Sequence, residues 1–91
     1  MTTAETITTV LRQALAATYL EVEDESAHHA GHAGAASGGG HYRVTVVSSL
    51  VEGKTLVARH RLVYDALAKE MQHEIHALAL TTLTPQQHSV G

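Results

Sequence analysis

Eight histidines and no cysteine stand among 91 residues, so the metal-binding chemistry this chain can offer is imidazole without thiol. Three of them, His28, His29 and His32, crowd a segment rich in glycine and alanine. His76 instead opens the apolar run Ala77-Leu78-Ala79-Leu80. Neutral imidazole suits zinc, copper, nickel and iron, which makes both groups candidate metal ligands. His-His-x-x-His lacks the regular helix that brings i, i+4 ligands together, and no thiolate completes a structural zinc set. The loop histidines also read as a solvated, histidine-rich tract. His76 also reads as a hydrogen-bonded residue at the edge of the core. No serine is paired with a base as a nucleophile would be, and no carboxylate pair stands out, so the sequence predicts a protein that is not an enzyme.

A second set of residues is cationic. Arg59-His60-Arg61 begins the long helix, with Lys54 just upstream and Arg43 on a strand. Cations near a helix start oppose its macrodipole, which suggests a docking patch for phosphate or an acidic partner. The alternative is a solvated face that partly balances Asp65 and Glu70. A formal charge of −3 and a pI near 6.2 argue against an obligate nucleic-acid binder. Protonating all eight histidines would move that charge from −3 to +5, so mild acid reverses the field of the molecule. Gly53-Lys54-Thr55 resembles the end of a phosphate-binding loop, but Ser48 occupies the place of the required first glycine. Gly31-His32-Ala33-Gly34 spells the GxxG of a KH loop, yet it falls in a low-complexity stretch without cations.

The elements that must position these residues follow from periodicity. Ile7, Val10, Leu11, Ala14 and Leu15 form one stripe and predict a helix over Thr3 to Ala17, opened by a Thr2/Glu5 capping box. Leu20 and Val22 alternate with Glu21 and Glu23, which predicts a strand over Tyr19 to Asp24. Residues 26–40 read as a flexible Gly/Ala/His loop. Tyr42, Val44 and Val46 mark a strand over His41 to Ser49, and Val47 hints at partial cover on its other face. Glu52-Gly53 is a turn signal. Thr55 to His73 returns to helical spacing, read as a short turn and then a longer helix from about Arg59. His76 to Thr82 alternates as a third strand, Pro85 stops it, and 86–91 reads as a polar tail.

The expected architecture is one α/β (α+β) domain over residues 1–91, in the order helix–strand–strand–helix–helix–strand. Its three-stranded sheet carries helices on one face, and the second and third strands are parallel. The absence of cysteine excludes a disulfide framework. No stretch approaches the ~20 apolar residues of a membrane span, and Met1 to Leu11 has no apolar signal-peptide core. The expected location is cytoplasmic, or the mitochondrial matrix if a presequence has been removed.

Several of these runs resemble the BolA family: Leu20-Glu21-Val22 with Asp24-Glu25-Ser26, His41-Tyr42-Arg43-Val44, Val46-Val47-Ser48-Ser49, Glu52-Gly53-Lys54, Arg59-His60-Arg61 and His76-Ala77-Leu78. The resemblance covers nearly the whole chain and implies a fold similar to class II KH domains. It implies a non-enzymatic protein, a monomer alone, that pairs with a monothiol glutaredoxin and shares a [2Fe-2S] cluster with it and glutathione. It also implies, for some members, DNA-binding regulation of transcription. The family's C-terminal ligand histidine falls on His76. Its loop ligand, counted from Asp-Glu-Ser, falls on His29, with His32 the alternative and His28 a weaker one. Lys54, Arg59, His60, Arg61 and Arg43 are the candidate docking residues for partner or nucleic acid. Val51 and Gln87-His88 depart from the pattern, standing where many members carry aromatic residues.

Overall fold

The computed structural model of the chain describes residues 2–26 and 40–90. Helix α1 (Thr3–Leu15) begins where foreseen. Glu5 N–H donates to Thr2 Oγ1 at 3.1 Å while Thr2 N–H donates to Glu5 Oε1 at 2.8 Å, which satisfies two of the amides that a helix start leaves open. It ends at Ala16, a non-glycine residue at φ 48°. Strands β1 (Tyr19–Asp24) and β2 (Gly40–Val47) then pair antiparallel. A 3-10 turn over Ser49–Val51 follows, capped by Ser48 Oγ, which accepts from Leu50 N–H at 3.0 Å.

Helix α2 (Leu56–Ala66) starts at Thr55, whose Oγ1 accepts from Ala58 N–H at 3.1 Å. A single short turn, α3 (Glu70–His73), succeeds it. The long helix therefore precedes the short one, the reverse of the sequence expectation. The hydroxyl of Thr55 fixes the start four residues before Arg59. Strand β3 (Ile75–Leu83) runs parallel to β2, giving the sheet order β1-β2-β3.

The chain after Pro85 is also helical, α4 (Pro85–Val90), where a polar tail was expected. Gln87 N–H donates to Thr84 Oγ1 at 3.1 Å and Thr84 N–H donates to Gln87 Oε1 at 2.9 Å. That is a reciprocal cap of the Thr-x-x-Gln type, and Pro85 sits at the first helical position, where its missing N–H costs nothing.

The core lies between α1, α2 and one face of the sheet. Ile7, Leu11 and Leu15 meet Tyr42, Val44 and Val46 from β2, with Val63, Leu67 and Ile75 closing the cluster. The opposite sheet face carries Tyr19, Glu21 and Glu23 of β1, which pair with Val47, Thr45 and Arg43 of β2. At its far end the Tyr19 ring lies 4.7 Å from that of His88, placing α4 against this face. Val47 is fully buried, as the sequence hinted. Among the described residues, no helix is long and apolar enough to cross a membrane.

Candidate metal-ligand site

The β2–β3 ladder contains one irregularity, and it falls at the candidate ligand. Gly40 pairs with Ile75 but His41 pairs with Ala77, so His76 is an extra residue without a Cα partner. Such a bulge breaks the two-residue alternation and re-aims a side chain. Ile75 and Leu78 both pack with the core although they stand three positions apart. By that alternation His76 and Ala77 share the open face of the sheet. His76 is exposed there, and its ring centroid lies 5.2 Å from that of His41, with the planes tilted by 49°.

His41 was not among the sequence candidates. Its position opposite Tyr42 in the alternation of β2 put it on the open face, but only the bulge brings His76 beside it. Next to the pair lies an open cleft of about 230 Å³ lined by Glu25, His41, Ala77 and Ala79, among others.

The two ends of the 27–39 segment converge on this site. Ser26 Oγ accepts from His41 N–H at 3.1 Å, Glu25 N–H donates to His41 O at 2.7 Å, and Gly40 N–H donates to Glu74 O at 2.9 Å. Asp24 Oδ1 accepts from Ser26 N–H at 2.9 Å. The hydroxyl and amide of Ser26 together hold the Asp24 carboxyl below its ordinary range. Gly40 permits this closure, because a Cβ there would come within 2.5 Å of the Tyr42 ring and 2.7 Å of Ser26 Oγ. His28, His29 and His32 lie outside the described residues.

The cationic candidates separate. Arg43 Nε donates to Glu25 Oε2 at 3.1 Å while its side chain stays 57% exposed. Lys54 and Arg61 are exposed and His60 is half-buried. Arg59 points the other way. Only 9% exposed, it donates from Nε to Lys54 O at 3.0 Å, and from Nη1 to Thr82 O at 3.3 Å and Gln87 Oε1 at 2.9 Å. Its guanidinium ties the start of α2 to β3 and α4. The expectation that Arg59 belongs to an exposed docking patch is corrected accordingly. His60, Arg61, Val57 and Tyr64 instead line an open surface depression on α2. Tyr64 Oη reaches Leu78 O at 3.5 Å, a weak bond at that length. This depression therefore borders β3 two residues beyond His76.

The two departures from the family pattern have structural roles. Val51 is fully buried. Gln87 holds Arg59, and His88 packs against Tyr19.

Residues 11–87 match the family model described as BolA-like protein. BolA-like protein 1 of Mus musculus is 47% identical over 77 residues, covering 85% of this chain and 54% of that one. The DNA-binding transcriptional regulator BolA of Escherichia coli (strain K12) is 42% identical over 80 residues, covering 88% and 73%. The solved structure of BolA1 from Arabidopsis thaliana superposes with a TM-score of 0.82 at 38% identity, covering 94% and 95%. The chain spans about half the length of the mouse relative.

Proposed function

Since the chain belongs to the BolA-like family, we propose that it is a non-enzymatic adaptor that binds a monothiol glutaredoxin and shares a [2Fe-2S] cluster with it. The observation that carries this reading is His76, an exposed imidazole on a bulge, beside the anchored ends of the segment that holds His29 and His32. The donor set fits: this chain supplies His76 and His29, or His32 in its place, and no thiolate. Two thiolates then come from the glutaredoxin cysteine and glutathione. His29 lies three residues beyond Ser26 and His32 six, covalent reaches of at most about 11 and 21 Å. Imidazole ligation would raise the potential of such a cluster relative to all-thiolate ligation. His60 and Arg61 on α2, Lys54 in the turn before it and Arg43 on the sheet offer the partner cationic surface.

Mixing the protein with a cluster-loaded monothiol glutaredoxin should give a heteromeric species with its own visible circular dichroism. His76→Ala should abolish that signal. An unchanged spectrum in this variant would falsify the ligand assignment.

A second reading, DNA binding, is favoured by the name of the Escherichia coli relative. With Arg59 internal, Lys54 and Arg61 are the α2-side cations left for phosphate. They predict a log–log salt slope of about −1.8, at about −0.9 per contact. No binding to any duplex at low salt would exclude it.

A further inference from the structure

We propose that the cleft between α1 and the short helix α3 is a binding site for an alkylguanidinium group, carried by a small molecule or by an arginine side chain. Thr6 from α1 and Lys69, Glu70, Gln72, His73 and Glu74 around α3 line it. Its volume of about 360 Å³ falls within the ~300–1,000 Å³ of clefts that take small ligands. None of these residues belongs to the proposed cluster site, so the two readings stand or fall separately.

Glu70 is the buried member of this lining, whereas Thr6 is half-buried and the other four residues are exposed. The side chain of Glu70 is only 7% exposed, and its carboxylate takes part in no hydrogen bond or ion pair with the described residues. Neither oxygen is a fully buried atom without a partner. Both therefore keep part of the little surface that Glu70 exposes, and that surface faces the cleft. A carboxylate stripped of most of its water is costly to keep unless a donor or a cation compensates it.

The neighbouring groups sharpen this demand. Glu74 N–H donates to Glu70 O at 2.9 Å and Glu74 keeps helical dihedrals, so Glu70, His73 and Glu74 share one face at i, i+3 and i+4. Two carboxylates at that spacing repel each other. Lys69 also lines the cleft, yet among the described residues neither it nor His73 pairs with either glutamate.

The missing cation is an organic one. Among the described residues no group of three or more His, Cys, Asp or Glu could hold a metal ion, so a bare divalent cation finds too few ligands here. A guanidinium brings five N–H donors in a planar fork, which can bridge carboxylates one helical turn apart. An ammonium is a compact, strongly hydrated point charge and lacks that span. Thr6 Oγ1 donates to Thr2 O at 3.1 Å, which leaves its lone pairs as a further acceptor at the α1 side of the cleft.

The test is a ¹H–¹⁵N NMR titration of the full chain alone, at neutral pH and low salt, with n-butylguanidinium, n-butylammonium and a blocked Ala-Arg-Ala peptide as probes. Butylguanidinium should shift the backbone amides of Thr6, Glu70 and Glu74 saturably and bind more tightly than butylammonium. Peptide binding at the same amides assigns the site to an arginine side chain. Exclusion of the peptide, with butylguanidinium still bound, assigns it to a free small molecule. Glu70→Gln keeps the shape of the side chain and should weaken butylguanidinium binding about tenfold or more, as the loss of one charge-assisted hydrogen bond does. Since no internal partner is lost, the same variant should unfold at or above the parental urea midpoint. A lower midpoint means that the carboxylate serves the fold, and it overturns the proposal. So does the absence of saturable shifts with butylguanidinium, equal binding of butylammonium, or unchanged affinity in Glu70→Gln.

Discussion

Replacing Arg59 by methionine distinguishes a guanidinium that holds the fold together from one that docks a partner. The change keeps an unbranched apolar stem and removes three donated hydrogen bonds, to Lys54 O, Thr82 O and Gln87 Oε1. The three losses differ. Lys54 is exposed, so water can replace the bond to its carbonyl. Gln87 Oε1 still accepts from Thr84 N–H. Thr82 is 4% exposed and the bond to its carbonyl is buried, out of reach of ready replacement by water. Leaving one buried acceptor unsatisfied costs about 1–3 kcal/mol, and bonds from a charged donor contribute about 1.5–3 kcal/mol each without adding fully. A loss of about 2–4 kcal/mol follows, against a total of about 5–14 kcal/mol for a domain of this size. At about 4–8 °C per kcal/mol the melting midpoint should fall by roughly 8–32 °C. Urea unfolding of Arg59→Met, with Arg61→Ala as the exposed control expected within about 0.5 kcal/mol of the parent, measures this directly. If Arg59→Met unfolds at the parental urea midpoint yet loses partner or DNA binding, the structural role argued for Arg59 is wrong.

Two further outcomes follow from the loop ends. Gly40→Ala puts a methyl against the Tyr42 ring and Ser26 Oγ, and should destabilise by about 1–3 kcal/mol as overpacking does; parental stability would mean that Tyr42 yields without cost. Asp24 titrates below its ordinary range because Ser26 donates to it, so its contribution is complete above the ordinary carboxylate pKa and is lost as pH falls through the lower folded value. The Ser26 amide resonance should therefore titrate at a pH below that of a free aspartate and lose this transition in Asp24→Asn, whereas an ordinary aspartate midpoint would contradict the assignment.

Much of this arrangement was legible in the sequence, for identifiable reasons. The Thr2/Glu5 box and the Ile7–Leu11–Leu15 stripe fix α1, and the alternation of Tyr42, Val44 and Val46 fixes the core face of β2. The burial of Arg59 was recoverable as well: Arg59, Val63 and Leu67 recur at i, i+4 and i+8, so the arginine lies on the stripe that turns inward. Its charge suggested solvent, whereas its position dictated the core boundary. The final helix carried its own signal in Thr84-Pro85-x-Gln87, which reads as a helix start once Pro85 is taken as the first helical residue. The bulge was not legible, because His76-Ala77-Leu78-Ala79-Leu80 satisfies strict alternation by itself. Only the core position of Ile75, three residues before Leu78, reveals the inserted residue. The candidate loop ligands offer no pattern that separates His29 from His32, since a glycine-rich segment has no periodicity to orient either one.

The bulge also bears on how variation at the site would be perceived. His76 is the residue of β3 that the Cα register with β2 skips, and its side chain is exposed. Its replacement therefore removes neither a ladder pairing nor a core contact. Lesions at position 76 should pass any screen that scores expression, solubility or thermal stability, and emerge only in a functional one. Position 40 should behave in the opposite manner, with abundance falling alongside function. Two residues on neighbouring strands would thus give opposite profiles when abundance and activity are scored in parallel.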